Sequence, residues 1–340
     1  MKRKVIIGIA ISAIFFYLAF REVNLQEMLT ALKNANYIWL LPAFAFMLFS
    51  HWVRAVRWRY FLEPIQDVKI HPLFSALIIG YAANNIFPLR LGEFLRAVAI
   101  GKTQQISKSS AFATVIVERL IDLLSLLVLL STTVLFFPLP EVIKNSGYII
   151  FFLTVSIIIL MILLMEKTDA TIRVFNKLLP SKIFNSVQKV VRSFLEGFTV
   201  FKKTEHYLTI ILFSIVVWAL YVATVYVSFF AFDLPQNHGL NLFSSLVVLV
   251  IVSIGIMIPS SPGFVGTYHW FCMKSLSLFG VPQSEALSFA VISHALNTIP
   301  FTVMGLLYFW KENLNFSEAV AERDVIAQDI EEEKLLNQAE

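Results

Sequence analysis

Eight apolar blocks divide the chain, at 5–20, 37–53, 72–89, 110–137, 148–165, 207–232, 242–258 and 285–310. Several reach the ~20 residues that cross a hydrocarbon core. Blocks of this length leave little choice of architecture. In lipid a segment must satisfy its own backbone amides and carbonyls, which a helix does. Composition agrees, with 58% hydrophobic and 15% charged residues, where soluble domains carry about 45–50% and about 25%. The expectation is an all-α integral membrane protein. Block 5–20 follows Lys2, Arg3 and Lys4, but "YLAFREVN" lacks a small-residue cleavage site, so it reads as an uncleaved helix. Cys272 is the only cysteine, which excludes an intrachain disulfide and a Cys-rich metal site.

The basic residues are sorted. Residues 2–4, 54–69, 90–108, 166–206 and the tail after Trp310 hold 22 of the 27 Lys and Arg. The positive-inside rule assigns all five segments to the cytoplasm. Two of them flank one apolar block, 72–89, and a simple crossing there would put them on opposite sides, in conflict with that rule. The repair is a re-entrant hairpin over about 72–100, broken at "NNIFPLRLG". Such backbone is tolerated where protein or a wet cavity shields it from lipid. A second hairpin, about 242–280, breaks at "IPSSPGFVGTYHW" and enters from outside, since 233–241 carries no basic residue. The expected membrane domain is then 1–310, with six full crossings, two opposed hairpins and both termini cytoplasmic. Eight plain crossings is the alternative. "PLRLGEFLRA" and "PGFVGTYHWF" share P-x-x-x-G at Pro88/Gly92 and Pro262/Gly266, beside Gly263. An inverted repeat with broken helices meeting near the midplane is a transporter arrangement. Segment 172–203 carries a basic amphipathic pattern suited to the cytoplasmic interface. Residues 311–340 form a polar, acidic tail.

Polar residues inside apolar blocks mark the candidate site. Glu118, Arg119 and Asp122 interrupt "ATVIVERLIDLLSLLVLL". Charges at that depth cost at least ~2.5–3.5 kcal/mol each on insertion scales, so they pair or face water. Glu118 and Asp122 share a helix face, and Arg119 can pair with Asp122. They read as a substrate path or as an interhelical salt bridge. In "NNIFPLRLGEFLR", Arg90, Glu93 and Arg96 follow at i,i+3 spacing. Their guanidinium groups suit a phosphate, and the amides freed at a broken helix favour anions. Asn84 and Asn85 can satisfy orphan backbone groups or headgroup oxygens. Arg96 taken alone, and the run "RAVRWRYFLEP" with Arg54, Arg57 and Arg59, read as interfacial anchoring. Arg57 is retained as a weaker site candidate, since Arg54 and Arg57 stand one turn apart. On the external side, Ser260, Ser261, Thr267, Tyr268 and His269 can line an entrance. His294 and Asn297 sit at similar depth in the last block. His269 and His294 read first as hydrogen-bonded packing residues. No GxxxxGK[ST], HExxH or GxSxG run is present, so no cofactor, metal or ATP hydrolysis is expected, and nothing suggests nucleic acid.

Together "RAVRW", "NNIFPLRLGEFLR", "ATVIVERLID", "IPSSPGFVG" and the series Pro282, His294, Pro300, Gly305 resemble the flippase-like membrane domain of lysylphosphatidylglycerol synthases, found also as stand-alone proteins. The resemblance spans about 5–310. It implies translocation of a phospholipid or polyprenyl-linked lipid between leaflets, in a bacterial plasma membrane. The synthases carry a soluble aminoacyl-transferase domain after this region. This chain ends about 30 residues past its last block, so lipid aminoacylation is not expected of it. Where the family's second break carries a glutamate, this chain has His269. On this reading the phosphate engages Arg90 and Arg119, while Glu93, Glu118 and Asp122 hold the arginines and can carry a proton. The alternatives are a membrane glycosyl- or phospho-transferase acting on a lipid carrier, and a non-catalytic partner of a lipid-modifying enzyme.

Overall fold

A computed structural model describes residues 2–87, 91–136, 152, 155, 156, 159, 206–258 and 260–314. Among them every regular element is helical. In order these are α1 (Lys2–Phe20), α2 (Leu25–Asn34), α3 (Leu40–Leu62), α4 (Ile70–Ile86), α5 (Gly92–Gln104) and α6 (Lys108–Phe136). Then come α7 (Tyr207–Phe229), α8 (Leu234–His238), α9 (Leu242–Gly255), α10 (Thr267–Ser277) and α11 (Gln283–Lys311). Tyr37–Leu62, Tyr207–Phe232 and Gln283–Lys311 are long and apolar enough to cross a membrane, and the pair α1–α2, bent by 85°, adds a fourth candidate. The expected crossing at 148–165 falls largely, and the amphipathic segment 172–203 wholly, outside the described residues.

Local chemistry sets the ends of these helices. Asn24 starts α2 by accepting from the backbone N–H of Gln26 (3.0 Å) and Glu27 (3.4 Å). Asn241 does the same for α9 through Phe243 (2.9 Å) and Ser244 (3.1 Å). Each is a short acceptor satisfying donors that the first turn leaves free.

α4 and α5 form an antiparallel helical hairpin. Gln66 Nε2 donates to Gln104 O (3.3 Å) at its base, and the Gly92 N–H donates to Asn84 Oδ1 (2.8 Å) at its tip. The helices touch closely there: a Cβ on Gly92 would lie 2.0 Å from Gly80 O. Only glycine permits that approach. α9 and α10 form the second hairpin. Its break includes Gly266, whose φ of +89° suits glycine and whose Cβ position would lie 2.4 Å from Ser12 O on α1.

Both hairpins pack on α11, at opposite halves. Ser75 at the start of α4 donates to Glu312, just past the end of α11, while Asn85 at the tip donates to Thr302 Oγ1 (2.9 Å) and Thr298 O (3.3 Å). The second hairpin meets the earlier half, where Tyr268 OH donates to Ser293 Oγ (3.2 Å). Asn297 is the central residue of the 29 in α11, so the two tips converge on its middle. They also touch each other, since a Cβ on Gly263 would lie 3.3 Å from Asn85 O. Two buried apolar clusters flank this junction. One joins Trp58, Leu73, Leu77, Ile100, Val115 and Ile210; the other joins Phe229, Phe232, Val248, Met273, Leu276 and Phe289.

One expected boundary changes. The second block was bounded at 53, but its helix continues to Leu62. Arg54 and Arg57 therefore stand inside the helix rather than past its end.

Candidate functional site

Arg54 and Arg57 on α3, Arg96 on α5, and Glu118, Arg119 and Asp122 on α6 form one cluster. Glu118 is its hub and is wholly buried. Its Oε1 accepts from Arg54 Nη2 (2.6 Å) and Arg54 Nε (3.2 Å), and its Oε2 accepts from Arg96 Nη2 (2.5 Å). Asp122 Oδ1 accepts from Arg57 Nη2 (2.7 Å), and Oδ2 accepts from Arg54. Arg57, fully buried, also donates from Nη1 to Ser214 Oγ (2.9 Å) on α7, and Arg54 Nη1 donates to Tyr221 OH (3.1 Å). The Arg96 guanidinium lies 3.6 Å over the Trp58 ring, a favourable cation–π position.

This overturns the anchoring reading for Arg54, Arg57 and Arg96. Each is buried and turned to a carboxylate of α6. Taking such charges out of water costs several kcal/mol per ion, and only close pairing offsets it. Arg59 keeps the expected character, since it is exposed and pairs with Asp67 at 2.8 Å.

Arg119 differs from the other three arginines. Its side chain is 38% exposed, and its ion-pair contacts are long, 3.6 Å to Glu118 and 3.7 Å to Asp122. The i,i+3 pairing expected with Asp122 is therefore present but loose. Four arginines face Glu118 and Asp122, an excess of two positive charges. Buried N–H donors without partners add to the anion-seeking character: Arg57 Nε, Arg96 Nε, Arg96 Nη1 and Arg119 Nε. Tyr81 OH and His51 Nδ1 are likewise buried and unpartnered beside the cluster.

The tips hold the other expected site residues. Asn84 accepts from Gly92 N–H and faces Glu93 Oε1 at 3.5 Å. Asn85 ties its tip to α11. His294 Nε2 donates to Gly263 O (2.6 Å), and His269 Nδ1 accepts from the Gly266 N–H (3.3 Å). The rings of His269 and His294 lie 4.8 Å apart. Asn297 Nδ2 donates to Tyr268 OH (3.3 Å) and Ser293 O (2.7 Å). The histidines thus hold the break in shape, as packing residues would. Thr267 is buried, with Ser260 Oγ 3.1 Å from its hydroxyl. Pro88 and Arg90 lie outside the described residues. Arg54, Tyr81, Ser214 and Tyr221 were not among the expected site residues. For Arg54 the available signal was its one-turn offset from Arg57; the others carry no local signal.

The family described as "Lysylphosphatidylglycerol synthase TM region" matches residues 5–305. A UPF0104 membrane protein of Pyrococcus horikoshii is 24% identical, covering 93% of this chain and 98% of that protein. Another, from Methanothermobacter thermautotrophicus, is 26% identical over 90% of this chain and 95% of its own length. Glycosyltransferase AglD of Haloferax volcanii is 23% identical over 94% of this chain, which spans only 56% of that protein. No solved structure gives a significant match.

Proposed function

Because this chain belongs to the lysylphosphatidylglycerol synthase TM region family, we propose that it is a lipid translocase that passes an anionic phospholipid or polyprenyl-linked lipid between leaflets. One observation carries the reading. Two broken helices meet at the middle of a 29-residue helix, next to an arginine-rich cluster with an excess of two positive charges among its six members. A helix rises 1.5 Å per residue, so α4 and α5 measure about 25 and 20 Å, and α9 and α10 about 21 and 17 Å. All are shorter than the ~30 Å hydrocarbon core, which supports re-entrant hairpins over the alternative of eight plain crossings. Such broken helices are tolerated where they line a shielded polar cavity.

In this mechanism Arg54, Arg57 and Arg96 are committed to Glu118 and Asp122 and brace the wall. Arg119, loosely held and partly exposed, takes the phosphate. Asn84 and Asn85 line the inner approach, while His269, His294 and Asn297 shape the outer one. The acyl or prenyl chains remain in the bilayer. Both termini lie in the cytoplasm.

The test is reconstitution into vesicles with fluorescent phosphatidylglycerol, a fluorescent neutral lipid, a fluorescent cationic lipid and polyprenyl phosphate. Anionic probes should cross faster than in empty vesicles, and the cationic probe should not. Equal rates with and without protein for every probe would overturn the reading.

The match to a glycosyltransferase favours one second reading, a membrane region that presents a lipid carrier to a sugar-transferring partner. Polyprenyl phosphate bound but not moved would support it.

A further inference from the structure

A groove of about 540 Å³ runs along α1, away from the arginine cluster. Ile9, Ala13, Phe16 and Phe20 line it from α1, and Val265 lines it from the second break. Their three- and four-residue spacing puts the four on one helix face. Ile9, Phe16 and Val265 are 54%, 44% and 40% exposed, so the groove opens outward, where a crossing helix meets hydrocarbon. An apolar concavity of this kind marks a contact site. Ser12, buried beside it, ties α1 to the break, since its hydroxyl accepts from the Ser261 N–H (2.7 Å). A Cβ on Gly8 would lie 3.0 Å from Ser260 O, so α1 and the break are in close contact at this level.

Length and charge say what fits. From Ile9 to Phe20 the helix rises about 17 Å, and half of a ~30 Å hydrocarbon core is about 15 Å. Ser12 stands near the middle of the 19 residues of α1, so the groove runs from mid-helix to the helix end and covers the depth of one leaflet. Among its lining residues Arg21 alone is charged. It lies nine residues beyond Ser12, about 13 Å along the axis. Arg21 pairs with Glu22 at 2.5 Å, both side chains 46% exposed. Such a surface pair contributes little. Glu22 also accepts from Gln283 Nε2 (3.3 Å), so it keeps a partner when Arg21 turns to another anion. A guanidinium at headgroup level suits a phosphate.

We infer that this groove docks an anionic phospholipid of the leaflet around the end of α1, the outer leaflet in the orientation proposed above. One acyl chain lies along Ile9, Ala13, Phe16 and Phe20, and the phosphate meets Arg21. The groove also leads somewhere. Val265 is two residues from Gly263, where the two hairpin tips touch. A lipid docked here stands in its own leaflet with its chain end at the junction of the broken helices. It is therefore a loading and release station for the path between leaflets. That role rests on the translocase reading above, whereas the docking itself does not.

The test uses the full chain in vesicles containing a trace of phosphatidylglycerol with a photoreactive diazirine in its acyl chain, or phosphatidylcholine with the same chain. After irradiation the labelled peptides are mapped. Labelling over residues 9–21 should exceed severalfold that of the exposed face of α11 at Ile299, Val303 and Leu307, which also faces outward. An exposed ion pair sets the preference for phosphatidylglycerol over phosphatidylcholine at roughly 2- to 5-fold, and Arg21→Gln should remove it. Ala13→Trp, at an exposed position, fills the groove; it should cut the labelling of α1 severalfold and slow phosphatidylglycerol movement. Equal labelling of α1 and α11 in wild type, or labelling of α1 that Ala13→Trp leaves unchanged, would overturn the docking site. Wild-type movement in Ala13→Trp, with the labelling lost, would overturn its role as a station. Specific labelling of α1 by a wild-type protein that moves no lipid would overturn the translocase reading and leave the docking site standing.

Discussion

Replacing Glu118 with glutamine keeps the size of the side chain but removes the hub of the cluster. Its two oxygens accept three hydrogen bonds from Arg54 and Arg96, and Arg57 lies 3.5 Å away. The amide retains one acceptor and turns an NH2 towards a guanidinium, donor against donor. Four arginines would then face Asp122 alone, raising the excess from two positive charges to three. Removing one partner of a buried ion pair costs about 3–5 kcal/mol, since the other charge stays buried. Scaled by the unfolding entropy per residue of globular proteins, that is about 4–7 °C for a chain of this length. The assay is built into the sequence. Cys272 is the only cysteine and is fully buried, so a thiol-reactive fluorogenic maleimide reports unfolding at one position. Arg119→Gln is the comparison. Its contacts are long and partly exposed, and it should cost less than about 1 kcal/mol. If Arg119→Gln lowers the midpoint as far as Glu118→Gln does, the distinction between bracing and free arginines is wrong.

Two further outcomes follow. Gly92→Ala places a Cβ against Gly80 O and Asn84; the hairpin tip must open, and the thermal midpoint should fall by several degrees, read with the same Cys272 assay. In a Cys272→Ser background, Lys102→Cys should react with an impermeant thiol reagent only from the side of the termini, and Lys274→Cys only from the other. Labelling of both from one side would refute the opposed hairpins.

Much of this arrangement is legible in the sequence because the signals are local. "NNIFPLRLGEFLR" combines two amides, a proline and a glycine after an apolar run, and within it α4 ends at Ile86 and α5 begins at Gly92. The P-x-x-x-G echo at Pro262 and Gly266 marks the other break, and the tips meet. Glu118 and Asp122 share a face, and both reach Arg54. What escaped is non-local. Arg54 sits between Trp52 and Trp58 at what looks like the end of a crossing, a pattern that usually means anchoring. Its burial depends on carboxylates 64 and 68 residues later, and Arg96 depends on Glu118, 22 residues on. Tyr221 and Ser214 enter from α7 for the same reason: each is an ordinary residue of an apolar helix until an arginine from α3 arrives.

The most direct measurement of the central claim is the initial rate of fluorescent phosphatidylglycerol movement in vesicles bearing wild type, Arg119→Gln or Arg59→Gln. A lost charged hydrogen bond to phosphate is worth about 1.5–3 kcal/mol, so Arg119→Gln should slow movement roughly 10- to 100-fold. Arg59, exposed and paired with Asp67, serves as the control and should leave the rate unchanged. Wild-type speed in Arg119→Gln would contradict the account.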